Sequence, residues 1–334
     1  MRGKNLSLWA VLALALALAV VFAAGCGGDE GTNEPANTGG SPSAVAGLTP
    51  QEIVDQSTAA MDGINSASFT ADMKLDIQGD AAKMTDPTAK QLLSAPITFH
   101  AEGKSSQKPQ ATDMDMTVSL MGQNLAMSML SLSEKVWIQY ENVWYAVPPQ
   151  NTKALQSNDG GALPTDQLAD LGLDPQAWKV EWELVGTETV DGAETYHLTG
   201  SPDAKTIAGD VMKALSDPAL YEKLGDPQTA QQLKALKGQN TKQLKELQKA
   251  LDSVGVDLWI ETESMYLRQG SVVINMNTKG MEGAEGVSGM NVEVDFTMAD
   301  FDEAFDVKAP AKAKDFDTLM NQLVGGMMGG STSL

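Results

Sequence analysis

Side chains able to do chemistry are scarce in this chain. Among 334 residues there are two histidines, His100 and His197, and a single cysteine, Cys26. Both histidines fall in stretches of alternating polarity, where a lone imidazole is ordinarily a surface or hydrogen-bonded residue. One thiol allows no internal disulfide, no dithiol redox couple and no zinc–thiolate cluster. No HExxH, GxSxG or phosphate-binding glycine loop occurs. Carboxylates are plentiful, so chance clusters are expected. Asp113 and Asp115 alternate with Met114 and Met116, which places them on the solvated face of a strand. Asp300, Asp302, Glu303 and Asp306 form the densest acidic group. They lack the glycine and the ligand spacing of a calcium loop, so they read as a solvated turn. Met281–Gly289 holds glycines without a GxGxxG after a strand and reads as a loop. No catalytic residue, metal or cofactor is expected, and a secreted hydrolase is disfavoured for want of a nucleophile–base pair.

The position of Cys26 points to a different chemistry. Arg2 and Lys4 precede an apolar run from Leu6 to Ala24, and Gly27-Gly28-Asp29-Glu30 follow the cysteine. A basic start, an apolar stretch and small residues before a break describe a secretory leader over residues 1–25. The segment Ala23-Ala24-Gly25-Cys26 resembles the lipobox of bacterial lipoproteins, with Ala23 where leucine is most usual. That resemblance implies a diacylglycerol on the Cys26 thiol and cleavage that leaves this residue as the mature N-terminus. A plain membrane-spanning anchor and an ordinary leader cut beside an incidental cysteine are the alternatives. The formal charge of −21 disfavours nucleic acid and repels anionic headgroups. Attachment to the outer face of a cell membrane therefore falls to acyl chains such as palmitate, of which two or three anchor stably and one does not.

The elements follow from periodicity. Residues 26–48, with a Gly/Pro/Asn/Ser-rich stretch from 27 to 47, read as a lipidated N-terminus and flexible tether with a span of roughly 25 Å. Thr49-Pro50-Gln51-Glu52 is a capping box with proline at the first helical position, and Ile53, Ala60, Met61 and Ile64 follow on one face. From Ser66 the period becomes two. Phe69, Ala71, Met73, Leu75 and Ile77 alternate with polar residues, as do Ile97-Phe99-Ala101, Met114-Met116-Val118-Leu120 and Leu125-Met127-Met129. Hairpins are expected at Glu141-Asn142 and Asp191-Gly192, with three further strands over 256–263, 265–277 and 291–298. Helices are expected after Asp86-Pro87, Asp174-Pro175, Asp217-Pro218 and Asp226-Pro227. A helical insert over 203–254 carries the stripe Leu233, Leu236, Leu244, Leu247 and Leu251. A short helix over 315–324 and a frayed tail over 325–334 end the chain. Roughly nine or ten strands in meander order make an α+β fold, a large antiparallel sheet with helices on one side, in one domain over 49–324.

Eighteen methionines against seven phenylalanines are unusual for such a sheet. Met73, Met114, Met116, Met127, Met129, Met276 and Met298 fall in phase with the apolar positions of their strands. Branched and aromatic residues suit strands better. Methionine is unbranched and polarizable, and it suits a surface that must adapt to varied apolar shapes. Either these residues fill a loosely packed core, or they line an apolar pocket for long flexible ligands.

Several segments together resemble one family. They are SASFTADMKLDI, VWIQYENVWYAVP, VGTETVDGAETYHLTGSPDA and VDLWIETESMYLRQGSVVI, the last bearing Arg268. Their order from about 49 to 300 is similar to that of the LprG/LppX-type lipoproteins of actinobacteria, within the wider LolA/LolB-like group. The resemblance implies a curved antiparallel half-barrel with helices on its concave side, which carries acylated lipids or glycolipids. The residues expected to line its cavity are Phe69, Met73, Leu75, Phe99, Met114, Met116, Val118, Met127, Met129 and Met276. The alternative is a lipid-sensing or envelope-stress module that acts by binding a membrane protein. The 203–254 insert departs from the family pattern.

Overall fold

The computed structural model describes residues 47–84, 87–149, 152, 178, 180–216, 249–279, 281 and 286–329. Helix α1, Pro50–Met61, is fixed by its sequence: Thr49 accepts from the Glu52 amide, and the Glu52 carboxylate accepts in return from the Thr49 amide at 2.7 Å. Six strands then run in chain order, β1 (Ser66–Gly79), β2 (Ile97–Gln107), β3 (Gln110–Leu120), β4 (Gln123–Leu132), β5 (Lys135–Tyr140) and β6 (Val143–Ala146), with α2 (Pro87–Leu92) between the first two. Later come β7 (Glu181–Val190), β8 (Ala193–Ser201), α3 (Ala204–Ser216), β9 (Leu251–Glu261), β10 (Leu267–Asn277), β11 (Val287–Ala299), the two-residue β12 (Lys314–Asp315) and α4 (Phe316–Gly329).

All twelve strands belong to one open sheet, ordered β12-β6-β5-β4-β3-β2-β1-β11-β10-β9-β8-β7. Most neighbours are antiparallel, and β12 against β6 is parallel. The order is two meanders, β1 to β6 and β7 to β11, with the last strand of the second placed beside the first strand of the first. The expected hairpin turns are left-handed at both central residues: Glu141 and Asn142 at φ 49° and 62°, Asp191 and Gly192 at 48° and 84°. That geometry matches strand twist and favours Asn and Gly.

The chain divides into two compact units. In the first, β9, β10 and β11 set Val254, Val256, Leu258 and Ile260 beside Val272, Ile274 and Met276, and these beside Met290, Val292 and Val294; all are buried. Ile53 of α1 and Ile207 of α3 are buried too, where α1 packs on β7 and β9 and α3 on β9. Two strand glycines lie under aromatic rings of their cross-strand partners, Gly200 under Trp182 and Gly270 under Phe296. A side chain at either position would collide with the ring that fills its place.

In the second unit, β2 to β6 carry one apolar and one polar face, described below. Asp300 and Asp302 occupy a left-handed turn, at φ 51° and 58°. There Asp302 accepts from the Asn65 amide at 2.7 Å, and Asp300 accepts from the Ser68 hydroxyl at 2.9 Å and faces Lys104 at 3.5 Å. The acidic turn fastens the start of β1.

Several expectations are corrected. The sheet has twelve strands where nine or ten were expected, and the two-residue β12 at its edge had no counterpart in the sequence reading. Strand β9 begins at Leu251, which pairs with Met276, so the leucine assigned to the helical stripe heads a strand. Strand β11 begins at Val287, inside the segment read as a loop. Helix α4 runs to Gly329, past the expected fraying point. The leader, Cys26, the tether up to residue 46, the Asp-Pro pairs at 174, 217 and 226, and the rest of the leucine stripe lie outside the described residues.

Candidate functional site

Directly paired residues of an antiparallel sheet share a face. The registers of β2 to β6 therefore resolve one face of the second unit into rows. Ser105, Thr112, Ser131 and Val136 form the first row. The next is Gly103, Met114, Met129, Ile138 and Tyr145. Ala101, Met116 and Met127 form the third row, and Phe99, Val118 and Leu125 the fourth.

Burial falls along these rows. Thr112 and Ser131 are 1% and 0% exposed, and Met114 and Met129 8% and 6%. Met116, Met127, Phe99, Val118 and Leu125 are half-buried, and Leu120, next along β3, is 42% exposed. The covered end is packed by Phe316 of α4, whose helix is tied down by the Tyr145 hydroxyl donating to Gln322 Oε1 at 3.0 Å. Thr112 and Ser105 hydroxyls are 3.3 Å apart, and the buried Ser131 hydroxyl has no partner among the described residues. The result is an apolar strip of thioethers and aromatic edges, closed at one end and increasingly open toward Leu120.

Of the residues expected to line a cavity, Phe69, Phe99, Met114, Met116 and Met129 gather in one cluster with Ala101, Val136, Val147, Ile138 and Phe316. Val118 and Met127 share their face by register. Leu75 and Met276 belong to the other unit and are 2% and 3% exposed, while Met73 is half-buried on β1. Sequence reasoning missed Phe316 and the hydroxyl row. Phe316 sat visibly at the start of the expected terminal helix; polar Ser131 and Thr112 gave no sign of an inward place.

The reverse face of the same strands carries charged and polar residues in rows such as Glu102, Asp115, Ser128, Gln139 and Trp144, beside buried Ala111 and Leu130. Asp113 stands there between Lys104 and Leu130. Partial burial, and after it the charge of Asp115, pushes its carboxyl above the ordinary range. A raised folded-state pKa means that ionisation opposes folding, so the penalty grows as pH rises through the carboxylate range and is absent below it. Asp113→Asn is therefore expected to raise the thermal midpoint at neutral pH. The gain should shrink toward zero at about pH 3, where both forms are neutral, as thermal melts at the two pH values would show.

The histidines are held structurally. His100 Nδ1 meets Asp72 at 2.8 Å on an exposed surface. His197 stacks on Trp259 with ring centroids 4.4 Å apart, and its two nitrogens meet Glu188 at 2.9 Å and Asp257 at 3.1 Å. The Trp259 indole N–H, followed by His197, holds the Glu188 carboxyl below its usual value. Both imidazole nitrogens are thus engaged by carboxylates. Among the described residues no group of three His, Cys, Asp or Glu side chains is placed to hold a metal ion.

No protein-family model matches the chain, and no curated protein matches it in sequence. Among solved structures it is similar to lipoprotein LppX of Mycobacterium tuberculosis, at 15% identity and TM-score 0.36 over 77% of this chain and 96% of that one. It is similar to LprF of Mycobacterium bovis, at 16% identity and TM-score 0.39 over 82% and 100%. The LolA-superfamily protein NE2245 of Nitrosomonas europaea gives 10% identity and TM-score 0.22 over 78% and 96%. LppX bears the name of the group that the sequence order resembles, and NE2245 that of the wider LolA group. With every score below 0.5, the fold rests on the order and register of the sheet itself.

Proposed function

We propose that the chain is an extracytoplasmic lipoprotein, tethered through an acylated Cys26, that binds the acyl chains of a lipid on the methionine-rich face of β2 to β5 and shuttles or sequesters them without catalysing a reaction. The observation that carries this reading is the half-buried pair of rows Ala101-Met116-Met127 and Phe99-Val118-Leu125, opening toward exposed Leu120. Flexible thioethers accommodate chains of varied shape, and each apolar square ångström removed from water contributes about 25 cal/mol. A lipid tail would enter from the Leu120 end.

Native mass spectrometry of gently purified protein, followed by uptake of a fluorescent acyl-chain phospholipid, tests it. Co-purified lipid or saturable uptake is the expected result. Protein that carries no lipid and takes up none would overturn the carrier reading, and cross-linking to a membrane protein in its place would favour the regulatory module. For the anchor, Cys26→Ser is expected to move the protein from the membrane fraction to the soluble fraction with its circular dichroism unchanged.

A further inference from the structure

Two copies of a Met-x-Met motif, Met114-Asp115-Met116 and Met127-Ser128-Met129, occupy neighbouring strands in exact opposition, Met114 against Met129 and Met116 against Met127. All four side chains point to one face. Adjacent strands and alternate residues set their Cβ atoms at the corners of a rectangle of about 5 Å by about 7 Å. Rotation about the Cα–Cβ and Cβ–Cγ bonds swings each methionine sulfur around its corner, so the sulfurs can converge over the centre. We propose that this thioether quartet is a binding site for a soft monovalent cation, Cu(I) or its analogue Ag(I).

The chemistry selects that class. Thioether sulfur is a soft, neutral donor that favours Cu(I) over hard cations such as Mg²⁺ or Ca²⁺, which require oxygen ligands. The neighbouring carboxylates, Asp113 and Asp115, belong to the opposite face and do not compete. A singly charged ion also loses less hydration energy than a divalent one on entering this partly apolar strip. Access exists from one side, because Met116 and Met127 are half-buried while Met114 and Met129 lie behind them at 8% and 6% exposure. The charge of −21 raises the local concentration of any cation.

The site shares its face with the proposed lipid surface but does not depend on it, and metal retention by lipid-free protein tests it apart from that reading. Leucine keeps the apolar volume and removes the sulfur. The full chain carrying Cys26→Ser, so that no thiol captures the metal, is titrated with Ag(I) in chloride-free buffer and with Cu(I) against a chromogenic Cu(I) chelator. The same is done after Met114→Leu, Met116→Leu, Met127→Leu and Met129→Leu are combined. Retention of a single ion by the parent and its loss in the leucine variant, with circular dichroism preserved, is the expected result. A parent that yields all its metal to the chelator, or a leucine variant that retains as much, overturns the site. The double variant Met116→Leu/Met127→Leu guards against a quadruple variant that fails to fold, and it should lose the ion equally.

Discussion

Leu198→Ala is expected to destabilise the first unit by about 2–5 kcal/mol, read as a lowered denaturation midpoint. Leu198 is fully buried and stands in a cross-strand row between Leu184 of β7 and Leu258 of β9, which in turn faces Gly270. The glycine contributes no side chain to that row, and the ring of Phe296 already occupies the space above it. Neighbours of Leu198 are therefore held in place by other contacts and cannot collapse into the void, which puts the cost toward the upper part of the range. Val185 provides the contrast. It is the extra residue at the β7 irregularity between Leu184 and Gly186, and it is 55% exposed. Val185→Ser should change stability by no more than about 0.5 kcal/mol. Equal losses at the two positions would show that the register assigned to β7 and β8 is wrong.

Strands with strict alternation were legible because one face of each meets water. Phe69 to Ile77 and Met114 to Leu120 announce both their period and their inward side. The turns at Asn142 and Gly192 were legible because only a few residues adopt left-handed backbone cheaply. The failures lie where local signals conflict with pairing. Leu244, Leu247 and Leu251 continue one helical spacing, and only the presence of Met276 across the sheet turns Leu251 into a strand residue. The glycines before Asn291 suggested a loop, yet Gly289 is required in β11, where a Cβ would stand 2.9 Å from the Met276 carbonyl oxygen. At the site, sequence phase put the methionines on one face but carried no register. That Met114 opposes Met129 and Met116 opposes Met127 depends on the two-residue turn at Met121-Gly122, left-handed at φ 53° and 77°. A slip of one residue there would send every side chain of β4 to the wrong face.

That dependence on face gives the second large effect. Met127→Asp is expected to lower acyl-chain uptake at least about tenfold, equivalent to about 1.4 kcal/mol of binding energy. The position is half-buried, so in the free protein a carboxylate there keeps part of its hydration and the fold survives. A bound chain would cover it and strip that hydration, a cost that an apolar ligand cannot offset with a hydrogen bond or a countercharge. Ala126→Asp is the control. It lies one residue away on the same strand, exposed, in the polar row with His100 and Thr117, and places the same charge on the opposite face. Both variants make the net charge more negative by the same amount, so long-range repulsion of anionic lipid is matched between them. Uptake lost in Met127→Asp and kept in Ala126→Asp assigns binding to the methionine face. Loss in both would assign the effect to net charge, and loss in neither would place the ligand elsewhere on the protein.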